Sequence, residues 1–424
     1  MVSAGSQDSP AIHQWRQERS VDVTTPPPES RLVIRAIRAL PRTVWLVGAI
    51  SLVNDAASDM IYPLVPLYLA AVLMAGPKAL GLIEGLAEAL SSVLKLFAGV
   101  LADRSGKVRA WVIAGYGIAG LARPLIGLAT SWTGVLACRL ADRVGKGLRS
   151  APRDALISLS VEPSQRGLAF GFHRAMDNFG AVVGPLLAAL LLAAGLPLRT
   201  VFLLAIIPAG IVVALALLVK EPEQPALRTK EPFRWTLAGL PPRFRRYLLV
   251  LGLFTLGNSS NMFLLLRANE LGASAARTTL MWALFSLVAA LLSTPLSALS
   301  DRLGRLRVLG VAWFAYAGAY LLLGLLPGAD WALWVAFAGY GAITAALEGT
   351  EKALVADLVP RERSGTAFGW YNLVAGILLL PASVVFGWIW SSVAPFAAFA
   401  FGAASAFAAA LLLWLWVAPA TAGD

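Results

Sequence analysis

Carboxylates, cations and amides interrupt the apolar stretches of this chain at spacings that place them on shared faces. Asp55 and Asp59 are four residues apart with Tyr62 close behind, so on a helix they fall on one side. Glu84, Glu88 and Lys95 follow in the next stretch, and Arg123 in the one after. Arg139, Asp142, Arg143 and Lys146 recur at i, i+3, i+4 and i+7, and His173, Arg174 and Asp177 form a further group. Asn258 and Asn261 sit together, and Tyr340, Thr344, Glu348 and Glu351 make one stripe. Such a set can pair ions, exchange protons and coordinate a solute. A carboxylate beside an arginine in a half-buried site takes or gives a proton according to the balance of burial and neighbouring charge. Enzyme chemistry has less support. His13, His173 and Cys138 are the whole His and Cys complement, too few for a His/Cys metal site, and they offer no Cys–His nucleophile pair. Gly145-Lys146-Gly147 lacks the glycine spacing and the Ser/Thr of a phosphate loop.

These residues belong to a chain of 424 residues that is 58% hydrophobic and 14% charged, with a mean hydropathy of +0.72. An average soluble protein has about 25% charged residues. A soluble fold could not hide so much apolar surface, and disorder, collagen and disulfide scaffolds are excluded by composition and by the single cysteine. A membrane helix needs about 20 apolar residues. Twelve stretches qualify: 44–73, 79–102, 110–130, 134–158, 168–193, 199–219, 247–269, 276–299, 308–327, 331–357, 366–390 and 395–417. Their continuous Leu, Ala, Val and Phe contrast with the alternation of barrel strands. The fold class is therefore an all-α polytopic membrane protein, in which every buried charge must face a partner or a water-accessible cavity.

A net charge of +11 would suggest nucleic acid in a soluble protein. Here Lys and Arg collect in the N-terminal tail and the even-numbered connections, as at Arg104, Lys107 and Arg109, at Arg243, Arg245 and Arg246, and at Arg302, Arg305 and Arg307. The other side has mainly Lys78, Arg199 and Arg277. The positive-inside rule puts both termini on the cytoplasmic side, and the expected setting is a bacterial-type inner membrane, with membrane lipids and no nucleic acid as partners. Residues 1–42 are expected to form a cytoplasmic tail, whose first 30 residues are polar and offer no apolar core of a signal peptide. Within it Arg31, Arg35 and Arg38 lie opposite Leu32, Val33, Ile37 and Leu40, which predicts a short amphipathic helix on the lipid surface. A Pro- and charge-rich linker at 220–246 separates six spans at 43–219 from six at 247–417, and 418–424 is a C-terminal tail.

The two halves repeat. Gly99-Val-Leu-Ala-Asp103-Arg104-Ser-Gly106-Lys107 is echoed by Ser297-Ala-Leu-Ser-Asp301-Arg302-Leu-Gly304-Arg305, with 301 − 103 = 198. Gly167-Leu-Ala-Phe-Gly171 returns as Gly365-Thr-Ala-Phe-Gly369 at the same offset, and Arg153-Asp154 aligns with Glu351-Lys352, charges reversed. Gly180-Ala-Val-Val-Gly184-Pro185 occurs in span five. The doubled loop is similar to the loop 2–3 signature of the major facilitator superfamily of secondary transporters, and Gly180, Gly184 and Pro185 resemble the antiporter signature of its drug exporters. The exporter signature ends in two glycines, where this chain has Ala188-Ala189.

The resemblance implies two pseudo-symmetric six-helix bundles around a central cavity lined by spans one, four, seven and ten. It implies that Asp103 meets the start of span eleven and Asp301 the start of span five, latching the cytoplasmic side, each worth roughly 0.3–1 kcal/mol. The expected substrate and proton pathway is Asp55, Asp59, Tyr62, Glu88, Arg139, Arg143, Asn258, Asn261, Thr344 and Glu348, with Asp59 and Glu348 as leading proton carriers. Glu84, Lys95, Arg123, Arg174 and Asp177, with Glu88 shared between both sets, are expected to form structural ion pairs. The expected function is proton-coupled export of a small solute by a monomer, with no metal and no cofactor beyond the proton gradient. Uptake of an organic anion held by Arg139 and Arg143 is one alternative, and a receptor or scramblase on the same scaffold is another.

Overall fold

A computed structural model describes residues 37–105, 108–162, 165–220, 237, 239–328, 331–360 and 363–418, without the side chains of 96, 98–105, 364 and 365. Pro41–Asp424 forms one unit and Met1–Leu40 another. The expected surface helix lies almost wholly outside the described residues, as do most of the linker and the last six residues. Among the described residues, the regular structure is entirely helical. A chain in lipid must satisfy its backbone internally, and helices built from long Leu, Ala and Val runs do so.

In the first half, span one comprises α1 (Arg42–Ile61) and α2 (Leu64–Ala71), span two is α3 (Pro77–Ser105) and span three is α4 (Val108–Leu125). Span four is α5 (Trp132–Leu159), span five is α6 (Arg166–Ala193), and span six joins α7 (Leu198–Leu204) to α8 (Ile206–Leu217). In the second half, span seven comprises α9 (Pro242–Gly257) and α10 (Met262–Glu270). Spans eight to ten are α11 (Ala275–Leu303), α12 (Arg305–Leu325) and α13 (Trp331–Asp357). Span eleven is α14 (Ser364–Ile377) with α15 (Leu379–Ser392), and span twelve is α16 (Pro395–Leu412).

Ten of these spans are long and apolar enough to cross a membrane by composition alone. The other two, α3 and α5, are equally long at 29 and 28 residues but carry the densest charge. They touch each other, so their polar faces meet within the bundle.

Two expectations need correction. Helix α9 starts at Pro242, inside the stretch assigned to the linker, because a proline at the first helical turn needs no partner for its missing N–H. Spans one and seven are not continuous either. The helix of span one stops at Tyr62-Pro63, and that of span seven at Asn258–Asn261, which is 198 positions on. Asn and Ser side chains compete with the helix for backbone groups, and here Ser260 Oγ accepts from the Met262 N–H at 3.3 Å.

The halves meet along two seams: span two against span eleven, and span five against span eight. A Cβ built on Gly81 would lie 3.0 Å from the Ser383 carbonyl carbon, and one on Gly85 would lie 3.0 Å from Leu380 Cα. Only glycine permits backbones this close. Near the same end Tyr62 stacks on Trp282 (centroids 5.1 Å apart) and Trp282 on Phe285 (4.4 Å), closing the space between halves. Toward the face that carries the 8–9 loop, a cavity of about 790 Å³ opens among Arg153, Asp154, Arg174, Asp301, Arg305 and Lys352.

Candidate functional site: a chamber between the two bundles

Deeper than the mouth lies a chamber of about 330 Å³, and Glu348 and Lys352 line both. The two helix breaks supply its floor: Tyr62 from span one, and Asn258, Ser259, Ser260 and Asn261 from span seven. Irregular backbone at membrane depth is tolerated where it borders a cavity. The Tyr316 hydroxyl donates to Asn258 Oδ1 (3.0 Å) and the Tyr340 hydroxyl to Asn261 Oδ1 (2.8 Å), which leaves both amide nitrogens as donors. Thr344 lines the same wall but turns its hydroxyl back to the Tyr340 carbonyl.

The first-half wall carries a network of six charges, three of each sign, in which Glu84 and Glu88 line the chamber and Arg123, Arg139, Asp142 and Arg143 lie buried behind them. Arg139 donates through Nε and Nη2 to Glu84 Oε1 at 2.8 and 2.7 Å and lies 3.5 Å from Asp142. Arg123 pairs with Asp142 at 2.9 Å and donates to Asn54 Oδ1 at 2.9 Å. Arg143 pairs with Glu88 at 3.0 Å and with Asp142 at 3.6 Å. Arg139, Glu84 and Asp142 are 1–2% exposed. Charge that deep is tolerable because each ion has a counter-ion. Arg139 and Arg143 are thus engaged by the chain itself rather than presented to the chamber.

The same layer of the second half is built differently. Glu84, Arg139 and Asp142 correspond, 198 positions on, to Trp282, Phe337 and Tyr340. There Tyr340 packs with Phe285 (centroids 5.5 Å apart), Tyr316 (5.8 Å) and Tyr320 (6.2 Å). One wall is therefore ionic and the other aromatic.

The expected pathway residues divide among several places. Asp59, half-buried, accepts from the Trp282 indole N–H at 3.2 Å, which ties span one to span eight. Asp55 accepts from Asn54 Nδ2 at 2.7 Å. Neither has an ion-pair partner among the described residues. Glu348 does not meet Arg143. It pairs with Arg174 of the first half and lies 3.8 Å from Lys352, so a bridge spans the halves at the mouth. Asp177 lies 3.5 Å from His173 Nδ1, and His173 Nε2 is 2.7 Å from Ser51 Oγ. Lys95 is exposed on α3.

In the loop signatures, Gly106 and Lys107 and the side chains of Gly99, Asp103 and Arg104 lie outside the described residues. In the second copy, Asp301 is held by Arg305 at 2.7 Å, and Arg305 also grips Asp357. Arg302 is exposed, and Gly304 adopts φ 93° at the junction of α11 and α12, a conformation that favours glycine. In span five, a Cβ on Gly180 would come within 3.0 Å of the Ala56 nitrogen and one on Gly184 within 2.7 Å of the Met60 nitrogen, while α6 runs unbroken through Pro185.

Sequence reasoning missed Ser259, Ser260 and Tyr316 as chamber residues, and it placed Glu351 on the polar stripe of span ten without including it in the pathway. Glu351 accepts from the Tyr371 hydroxyl at 2.7 Å. The helix-poor run from Gly257 to Asn261 was the available signal, since five residues of low helix propensity in mid-span predict a break.

Two bundles around a polar chamber with broken helices at its floor make the architecture of a membrane transporter. The chain matches the Major Facilitator Superfamily profile over residues 47–266 and 247–424, and it belongs to that family. It is 34% identical over 386 residues to an uncharacterized MFS-type transporter of Methanocaldococcus jannaschii, covering 89% of this chain and 95% of that one. It is 29% identical over 254 residues to the multidrug resistance protein MdtH of Proteus mirabilis, covering 58% and 62%. A crystal structure of the nucleoside transporter NupG superposes with a TM-score of 0.74 at 13% identity, covering 88% and 99%, a likeness of fold.

Proposed function

We propose that the chain exports a small solute in exchange for protons, working as a monomer that alternates access across a bacterial-type inner membrane, with both termini in the cytoplasm. The observation that carries the coupling is Asp59: a carboxylate without a counter-ion among the described residues, joined to the other half through Trp282. Protonation removes the charge that accepts the indole N–H and so loosens one of the contacts that close that end. Glu348, bridged to Arg174 at the mouth, is the matching group at the opposite end. Loading a proton there would release the bridge. Export as the direction is supported by the similarity to MdtH and by the Gly180, Gly184 and Pro185 pattern. Uptake of an anion is disfavoured, because Arg139 and Arg143 are neutralised by Glu84, Glu88 and Asp142. With the mouth on the face of the basic 8–9 loop, the described state opens to the cytoplasm under the positive-inside rule.

The test starts from whichever solute raises the thermal unfolding temperature of the purified protein in a screen of drugs, organic acids and metal chelates. Inverted vesicles should accumulate that solute when their lumen is acidified. Asp59→Asn should bind it but no longer respond to the gradient. Accumulation only under the opposite gradient reverses the direction, and coupling by Asp59→Asn and Glu348→Gln equal to the parent rejects the proton carriers.

A further inference from the structure

We infer that the chamber binds a solute with a cationic centre, such as an ammonium group on an aromatic or amphipathic body, and that Glu351 is its counter-ion. This names the substrate class of the transport site proposed above and rests on that reading. Four carboxylates line the chamber, Glu84, Glu88, Glu348 and Glu351, against a single basic residue, Lys352. Three of the four are already engaged by cations of the chain: Glu84 by Arg139, Glu88 by Arg143, and Glu348 by Arg174 and Lys352. Glu351 differs. Among the described residues no Lys or Arg comes within ion-pair distance of it, and its partner is the neutral Tyr371 hydroxyl. Glu351 is therefore the chamber carboxylate that no cation of the described residues holds in an ion pair, and Lys352, on the same wall, is turned to Glu348.

Two further features suit a cation. Phe254, Tyr316, Tyr340 and Tyr371 line the chamber with Glu351, and aromatic faces attract ammonium groups, more so when water is displaced. The amide nitrogens of Asn258 and Asn261, freed by the tyrosine bonds to their oxygens, offer hydrogen bonds to a carbonyl or hydroxyl on the solute. The guanidinium groups that would hold an anion stay behind the wall in their own pairs.

The probe is benzyltrimethylammonium, whose charge does not titrate, with benzenesulfonate as its anionic counterpart. Both are measured by isothermal titration calorimetry against the full-length protein in detergent at one pH. The parent should bind the cation saturably and at least tenfold more tightly than the sulfonate. Glu351→Gln should weaken the cation at least tenfold while eluting as a monodisperse peak, and Glu351→Asp should recover part of the loss. Equal or better binding of the sulfonate, parental affinity in Glu351→Gln, or no saturable cation binding by the parent overturns the assignment. These readouts need neither a gradient nor transport, so their failure leaves the coupling role of Asp59 standing, and failure of that role leaves them untouched.

Discussion

At the scale of single residues, the buried network distinguishes charges that hold the protein from charges free to act. Arg139 is 2% exposed and turns two nitrogens to one carboxylate oxygen of Glu84. Removing one member leaves an unpaired ion in a dry site, which costs about 3–5 kcal/mol. Arg139→Ala should therefore lower the unfolding temperature of the purified protein sharply. The double change Glu84→Gln with Arg139→Gln should lose less than the two single changes added together, a coupling that a double-mutant cycle in thermal unfolding reads directly. Asp59 belongs to the other group. It has no such partner, so Asp59→Asn should unfold close to the parent while its transport loses pH dependence. The spacing of Arg139 and Arg143 was legible in the sequence, but which carboxylates would meet them was not. Glu84 and Glu88 are about 55 positions away and arrive only through packing of span two on span four.

At the scale of elements, glycines decide where helices can touch. Gly180 and Gly184 press span five onto the backbone of span one, and a side chain at Gly184 would meet Met60 and Ala56. Gly184→Leu should push α6 off α1, abolish transport and reduce the yield of folded protein, and Gly184→Ala should be intermediate. Gly117, with nothing within 4 Å of a built Cβ, should accept alanine with transport rates near the parental value. Those assays separate a packing role from a general intolerance of glycine replacement. The helix breaks belong to this scale as well. Apolar length marked twelve stretches and each is helical, ten of them apolar enough to span by composition, because apolar runs of that length satisfy their backbone in lipid as helices. It passed over Asn258–Asn261 because four polar residues barely lower the hydropathy of a long window, even though they end the helix.

At the scale of the whole molecule, the two halves are joined near one end by Asp59, Tyr62 and Trp282 and at the mouth by Arg174 and Glu348. The alternating access proposed for this chain requires the mouth bridge to part when the chamber opens fully. In a Cys138→Ser background, Arg174→Cys with Glu348→Cys should be joined by a short bifunctional thiol reagent, holding the halves together after cleavage at a protease site inserted between them. Transport should fall when the crosslink forms and return when a cleavable version is reduced. Full transport by crosslinked protein would mean that the mouth does not move.

The sequence by itself determined the class of this protein. Apolar length dictates spans, the 198-residue offset dictates two related bundles, and the doubled Asp-Arg-x-Gly loop marks the family. These are properties of short windows and of their repetition, so they survive without coordinates. Tertiary structure decided what each charge is for. Paired and unpaired carboxylates look identical along a chain, and only packing of one helix on another showed that Glu84 and Glu88 are answered by arginines while Asp59 and Glu351 are answered by neutral donors. The electrostatic role of an ion is set by its nearest counter-ion, and in this fold that neighbour comes from another helix.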